Sequence, residues 1–424
     1  MRFKQWLTTN GQQATVTSGL AVIATHLVAS SLLRIDAPWG ERLVWATAAV
    51  VALASAAFVY GRLRRAARAL ALLAVGLPAL MFGLGIHASH VVQVGLAWDD
   101  VTGIPMLVAG LFLTIAGAFL LVKAIRTWWR RLLLIPAALA ITIFFIFPVT
   151  LAIFATNVAH VPCCDETPAD RGIAYEDVSF ETEQHRRLSA WFIAPENGAV
   201  VITAHGAGSN RTTVMDEAEM LVSNGYGVLM LDLEGFGDSQ GRANAFGWAG
   251  ARDVAAAVEY LKTREEVEQG RVGGLGLSMG GEVLLQAAAE TPNLTAIVSE
   301  GVSARTRDDL DERDGLGRVF IFPFWEVVET SIQVLTGESV PPPLKDMVRQ
   351  IGQRPVLLIA ANTAEEREFG ALYLEEGGPS FELWTIPEAQ HVGAFDLHTD
   401  EYERRVIAFF DEALLGDAPL SDSR

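Results

Sequence analysis

The stretch that decides the fold is "RVGGLGLSMGGEVLLQAAAE", residues 271–290. Its first part is apolar, glycine-spaced and short, as a buried strand is. Its last part has the spacing of a helix. Between them, with no residue to spare, stands Gly276-Leu-Ser278-Met-Gly280. A chain passing from strand to helix in so few residues must turn sharply at Ser278. Side chains two residues either side would collide, which is why glycine stands at both places. Ser278 then opens a helix, where free N–H groups and the helix dipole favour developing negative charge. It is a candidate nucleophile.

A second pentapeptide, "GDSQG" at 237–241, has the same letters. Its strand ends near Asp232, seven residues before Ser239, and no helix follows. Ser239 is expected to be structural.

The surroundings of residues 271–290 repeat the strand–helix rhythm. "EDVSF" (176–180) and "LSAWFIA" (188–194) form a leading antiparallel pair. Strands follow at "AVVITA", "GVLMLDL", "VGGLGL", "TAIVSE", "PVLLIAA" and "FELWTI", with helices over 211–223, 248–261 and 402–415 among those between and after them. Near-continuous apolar strands alternating with helices imply a mostly parallel, doubly wound sheet covered on both faces. Ligands bind such sheets at the carboxyl ends of the strands.

The loops after the strands supply partners for Ser278. "HGAGSN" (205–210) follows a strand and is suited to an oxyanion hole, with Ala207 N–H and Met279 N–H as the donor pair. His205 opens that loop and is expected to shape it by hydrogen bonding. Two histidines come after Ser278, His391 and His398. His391 follows the strand and loop "FELWTIPEAQ" and is preferred as the base. The acid is expected after "PVLLIAA", in "NTAEERE" (362–368). Glu365 and Glu366 both qualify, the spacing slightly favouring Glu365. Glu368 lies deeper in the helix, and Glu300 at the end of "TAIVSE" is a reserve.

With "HGAGSN", "DLEGFGDSQG", "GLSMGG" and "QHVGAF" in this order, residues 175–415 resemble the α/β-hydrolase superfamily, and within it bacterial membrane-tethered hydrolases of the esterase and dienelactone-hydrolase-like group. The resemblance implies Ser278, His391 and a carboxylate as a triad. The departure is Glu where Asp is commoner. Residues 301–353 form an insertion where such enzymes carry a helical cap. Its "FIFPFW" (320–325) either lines an acyl pocket, touches a bilayer or packs the cap onto the sheet.

The first third differs. Of 424 residues, 1–160 carry 12 Lys and Arg against 4 Asp and Glu, a net +8; residues 161–424 carry 20 and 46, a net −26, and the whole chain is −18. The acidic part argues against nucleic acid, whose phosphates require Lys and Arg. About five apolar segments, 16–33, 43–60, 69–89, 104–122 and 132–155, approach the ~20 residues that a membrane-spanning helix needs. None has Asp, Glu, Lys or Arg inside. The third is glycine-rich and runs on toward Trp98, and the first alternatively reads as a signal peptide. His26 inside the first is expected to hydrogen-bond between helices. Trp39, Trp45, Trp98, Trp128 and Trp129 stand near segment ends, as interfacial aromatics do.

Basic residues recur on alternate loops: Arg2 and Lys4, then Arg62, Arg64, Arg65 and Arg68, then Lys123, Arg126, Arg130 and Arg131. Asp99 and Asp100 occupy a loop with no basic residue, and the 35–42 loop is mixed. Cytoplasmic loops carry the excess of Lys and Arg. The N-terminus is therefore expected inside, and everything past about residue 157 outside a plasma (cytoplasmic) membrane.

The expected division is an all-α transmembrane bundle over 1–160 and an α/β-hydrolase domain over 161–424. The expected function is a membrane-anchored serine hydrolase cleaving a small-molecule or lipid-like ester through an acyl-enzyme. The alternatives are a prolyl-oligopeptidase-type serine peptidase and a non-catalytic module on a membrane transporter or sensor. No cofactor or metal is implied: the two cysteines, Cys163 and Cys164, are adjacent, and the chain has no zinc-ligand spacing.

Overall fold

In the computed structural model, residues 9–33, 39–98, 100–159, 161, 163–312 and 316–416 are described. Arg2, Lys4, Asp99 and residues 35–38 of the 35–42 loop lie outside them. The chain divides into two compact units, Met1–Ala159 and His160–Arg424.

The first unit is helical. Its helices are α1 (Thr9–Leu33), α2 (Trp39–Tyr60), α3 (Arg65–Val94), α4 (Asp100–Ala124) and α5 (Trp128–Ala155), all long and apolar enough to cross a membrane. α3 passes through a π-helical stretch at Gly83–Ala88, and α5 through another at Thr142–Ile146. Val50, Val51 and Phe58 of α2 and Ile135, Leu139 and Phe147 of α5 are large apolar side chains left exposed. Such an outward face is suited to lipid tails. α3 and α4 approach each other most closely, because glycines recur at sevens along α4 as Gly103, Gly110 and Gly117. A Cβ on Gly110 would sit 2.6 Å from the Leu80 backbone nitrogen, and one on Gly76 of α3 2.7 Å from that of Thr114. In lipid, where apolar burial drives nothing, this close backbone packing is what joins helices.

The second unit is an eight-stranded sheet, β1 (Glu176–Glu181), β2 (Arg187–Ile193), β3 (Val200–Ala204), β4 (Gly227–Leu231), β5 (Val272–Leu277), β6 (Ala296–Glu300), β7 (Val356–Ala361) and β8 (Phe381–Ile386). The order is β1-β2-β4-β3-β5-β6-β7-β8. β1 and β2, and β2 and β4, pair antiparallel, and every other neighbour is parallel. β3 to β7 are buried throughout, as their unbroken apolar runs require. The longer helices are α6 (Met215–Ser223), α7 (Gly250–Leu261), α8 (Met279–Glu290), α9 (Leu316–Thr336), α10 (Leu344–Ile351), α11 (Ala364–Gly377) and α12 (Thr399–Phe410). β5 is central, and two glycines let helices close on it: a Cβ on Gly273 would meet Phe410 at 2.8 Å, and one on Gly274 would meet Leu284 at the same distance.

The insertion after β6 is a short 3-10 helix (Arg307–Glu312) followed by α9, which is itself long and apolar enough to span a membrane. α10, which the sequence places within the insertion, packs beside α8 and α11 as part of the sheet's helical cover.

Candidate active site

The site starts at the turn from β5 into α8. Ser278 has φ 53° and ψ −122°, a strained left-handed backbone for a residue with a side chain. The strain is held from all sides. A Cβ on Gly276 would lie 2.5 Å from the Gly280 carbonyl, and one on Gly280 would lie 2.2 Å from the Ala204 carbonyl oxygen. Ser278 N–H donates to the Glu300 carbonyl at 2.7 Å, fastening the turn to the end of β6.

His391 stands on the loop after β8. Its Nε2 is 2.9 Å from Ser278 Oγ. The ring is half exposed, so the pair opens to solvent. The loop is shaped from below. Gly301, at φ 78°, lies so close that a Cβ there would come within 2.9 Å of His391 Cε1. Ala394 N–H donates to Glu300 Oε1 at 3.0 Å. Val392 takes φ 50°, unusual for a β-branched residue and a second point of strain beside the site.

The carboxylate that meets His391 is Glu366. Its Oε1 lies 2.9 Å from His391 Nδ1, and its Oε2 accepts the Ala361 N–H at 2.7 Å. Glu365, which spacing from the strand slightly favours, is exposed and has no such contact. Helix capping explains the difference. Thr363 caps α11, its hydroxyl accepting the Glu366 N–H at 3.1 Å. Glu366 is thus the third residue of the helix, the position whose side chain turns back over the N-terminus. There it reaches the carboxyl end of β7, while Glu365 faces water. Thr363-x-x-Glu366 is a capping signature visible in the sequence. Glu368 is exposed as well, and His398 pairs with Glu388 at 3.9 Å.

The electrostatics follow from these contacts. The hydrogen bond that His391 Nδ1–H donates to Glu366 outweighs burial and raises the pKa of His391 above the usual imidazole value. Burial pushes the Glu366 carboxyl up, but the His391 bond, the Ala361 N–H and the His391 charge together bring it below the usual carboxylate value. Other acids in this unit are buried too, among them Glu217, Glu282 and Glu300. Burial raises Glu282 to about 6, Glu300 to about 7 and Glu217 to about 8. Glu282 receives the Ser303 N–H and hydroxyl at 3.0 and 2.7 Å. Neither Glu282 nor Arg305 stands out in the sequence, since nothing local marks an acid or a base for burial.

The remaining expected residues are placed as follows. Gly206, beside Ala207, passes over the serine: a Cβ on it would be 3.6 Å from Ser278 Cβ. Met279 is the first residue of α8. His205 is fully buried, with Nδ1–H donating to the Gly206 carbonyl at 2.8 Å and Nε2 accepting the Leu233 N–H at 3.2 Å. Burial pushes its pKa down to about 4, so it is a neutral strut of the loop. Ser239 is buried. Its hydroxyl donates to the Asp232 carbonyl at 2.6 Å and accepts the Ser189 N–H at 2.9 Å, which ties the glycine-rich loop to β2.

The insertion roots beside the serine. Arg305 is buried and its guanidinium donates to Gln286 Oε1 and to the carbonyls of Gly247 and Phe246, the last at 3.3 Å. Gly247 touches Met279, and a Cβ on it would lie 2.9 Å from Met279 Cγ. Trp325 of α9 packs edge-on against Phe246 at 5.7 Å between centroids. One part of "FIFPFW" thus holds the cap down, while Phe320 at its start remains exposed.

A serine hydroxyl, an imidazole and a buried carboxylate in sequence can activate the hydroxyl for attack on an acyl carbon. Comparison with known proteins agrees with the fold and this class of chemistry. Residues 176–387, half of the chain, match the family described as X-Pro dipeptidyl-peptidase (S15 family). The uncharacterized protein YfhR of Salmonella typhi is 29% identical over 264 residues, 58% of this chain and 84% of that protein. The quorum-quenching protein AidA of Acinetobacter baumannii is 30% identical over 130 residues, 29% of this chain and 42% of that protein. Among solved structures, the Pyrococcus furiosus esterase Pf2001 superposes with a TM-score of 0.50 at 24% identity, over 61% of this chain and 98% of that one, which is a likeness of fold.

Proposed function

The chain belongs to the X-Pro dipeptidyl-peptidase (S15) family of α/β-hydrolase-fold hydrolases, and on that premise we propose that it is a membrane-anchored serine hydrolase that cleaves acyl esters. Ser278 Oγ attacks the ester carbonyl while His391 Nε2 takes its proton. The Oγ–carbon bond forms and the negative oxygen is met by the N–H groups of Ala207 and Met279. The ester carbon–oxygen bond then breaks, and the leaving alcohol takes the proton from His391. Water attacks the acyl-enzyme by the same route and frees the acid. Glu366 keeps the proton on His391 Nδ1 and steadies the imidazolium.

The single observation that carries this reading is the continuous chain Ser278 Oγ, His391 Nε2, His391 Nδ1, Glu366 Oε1, with 2.9 Å at each hydrogen bond. An ester is favoured by the aromatic pair of Phe246 and Trp325, adjoining Gly247, whose neighbour is Met279; such an apolar pair is suited to an acyl chain. The five apolar helices anchor the enzyme in the plasma membrane. The basic 62–68 and 123–131 stretches keep their side cytoplasmic, so the N-terminus is inside and the hydrolase unit outside.

One observation favours a second reading: the description of the matching family is that of a dipeptidyl-peptidase. A panel of p-nitrophenyl esters from acetate to decanoate, run beside X-Pro-p-nitroanilides, separates the two. Ester turnover with little anilide cleavage is expected. Faster cleavage of the anilides transfers the protein to the peptidase reading.

A further inference from the structure

His26 is not alone in the helical unit. His87 and His90 of α3 and Asp100 of α4 gather around it, three of the four nearly inaccessible: His26 is 7% exposed, His87 4% and Asp100 1%. Ionisable and strongly polar groups inside a membrane bundle are costly and mark function by default. The cluster draws on three helices, so no spacing in the sequence announces it.

The hydrogen bonds define which nitrogen does what. Asp100 accepts three donors. They are the Ala97 N–H at 3.0 Å, His90 Nδ1 at 2.8 Å and His87 Nδ1 at 2.9 Å. An acid receiving a backbone N–H and two imidazoles is a carboxylate, and His87 therefore carries its proton on Nδ1. Its Nε2 is left with a lone pair. That lone pair faces Nε2 of His26 at 3.3 Å, with the rings edge to face. His26 Nδ1 is 3.1 Å from the Thr102 hydroxyl, and the Ser30 hydroxyl is 3.2 Å from the same His26 Nε2. Two ring nitrogens that share one tetrahedral zinc-type ion, at ~2.0–2.1 Å each, stand about 3.3 Å apart. Carboxylate and hydroxyl groups on the far nitrogens are the usual outer support of metal-binding histidines.

The backbone is adapted to the same point. His87 lies in the π-helical stretch Gly83–Ala88, a distortion that recurs at functional sites. Gly103 of α4 leaves room for the ring: a Cβ there would lie 2.2 Å from His87 Cγ.

We propose that His26 Nε2 and His87 Nε2, with the Ser30 hydroxyl as a third donor, hold a divalent transition-metal ion of the zinc class in the helical unit. The fourth position is open to water or an incoming ligand. Asp100 is the outer carboxylate that fixes His87, and Thr102 does the same for His26. The two imidazoles suit Zn2+ or its late first-row neighbours, whereas Mg2+ and Ca2+ take all-oxygen sets. The helical unit then has a site of its own in addition to anchoring.

The test uses the full chain in detergent, stripped with chelator and titrated with Zn2+, with metal counted by mass spectrometry after desalting. About one zinc per chain is expected, weakened at least roughly tenfold by His26→Ala and by His87→Ala, and roughly 10–100-fold by Asp100→Asn. Fluorophosphonate labelling of Ser278 in each variant reports the hydrolase unit independently, and far-UV circular dichroism reports the bundle. Because loss of a buried histidine can unfold the bundle, wild-type protein is also loaded with Co2+. The intense visible bands of a four-coordinate ion support the site. A zinc content below a tenth of an ion per chain, a six-coordinate cobalt spectrum, or affinity unchanged in both histidine variants overturns it. Any of these leaves His26 and His87 as an ordinary hydrogen-bonded pair.

Discussion

Glu366 reaches His391 at 2.9 Å from inside a helix, because capping by Thr363 turns the third residue of α11 back toward the end of β7. Glu365, one residue earlier, is turned out to solvent. One step along a helix is about 100°, so the first turn presents only one of the two neighbours to the strand end.

Replacing Glu366 therefore acts on chemistry, and replacing Glu365 does not. Glu366→Gln keeps an acceptor for the Ala361 N–H but offers an amide to His391 Nδ1, which favours the wrong tautomer. A fall in kcat of roughly 10²–10⁴-fold is expected, with KM little changed. Glu365→Gln is expected to stay within about threefold. Steady-state ester hydrolysis checks both, and equal losses in the two variants count against the capping argument.

The pH dependence has a definite sign. The base must be neutral to accept the Ser278 proton, and Glu366 raises the His391 pKa above its ordinary ~6.5. kcat/KM is expected to rise with pH through a midpoint above that value. Without the carboxylate the cation loses its partner, so in Glu366→Gln the residual activity rises at lower pH than in the wild type. An unshifted or upward-shifted midpoint in that variant contradicts the assignment.

Glu300 ties the two halves of the site together: its carbonyl receives Ser278 N–H and its Oε1 receives Ala394 N–H. It touches neither Ser278 Oγ nor a His391 ring nitrogen among the described hydrogen bonds, so it acts through position. Glu300→Ala is expected to lower kcat roughly tenfold or more by loosening the 391–394 loop. Glu300→Gln, which keeps an acceptor for Ala394, is expected to restore most of it. A Gln variant as impaired as the Ala variant points to a need for the charge itself.

Ser239 and Gly280 separate structure from chemistry. Ser239→Ala removes two buried hydrogen bonds and is expected to cost about 1–3 kcal/mol in unfolding, with kcat intact. Gly280→Ala forces a methyl against two backbone carbonyl oxygens, those of Ala204 at 2.2 Å and His205 at 2.7 Å. Backbone on both sides cannot yield cheaply, so a loss of the order of 4 kcal/mol or failure to fold is expected. Chemical denaturation with parallel activity measurements distinguishes the two cases.

The eight strands were legible because each is a short apolar run bounded by turn residues, and Ser278 because a strand and a helix abut it. His391 was legible from chain order. The choice between Glu365 and Glu366 turned on the Thr363 N-cap of α11, which strand spacing ignores. Glu282, Arg305 and the Glu300 clamp were not legible, since their burial depends on which loops fold over them. The same holds in the helical unit. His26 looked solitary because its partners on the other helices, His87 and Thr102, are 61 and 76 residues away, and Asp100, which a loop-charge count treats as a topological marker, is buried at the start of α4.

The central claim is that Ser278 is the nucleophile of a hydrolase on the outer face of the membrane. Labelling intact cells with a membrane-impermeant fluorophosphonate tests it most directly. Wild-type and Ser239→Ala protein are predicted to label and Ser278→Ala to remain unlabelled, with the tag recovered on the peptide that contains Ser278. Labelling of Ser278→Ala at the wild-type level contradicts the site, and labelling only after the cells are opened contradicts the orientation.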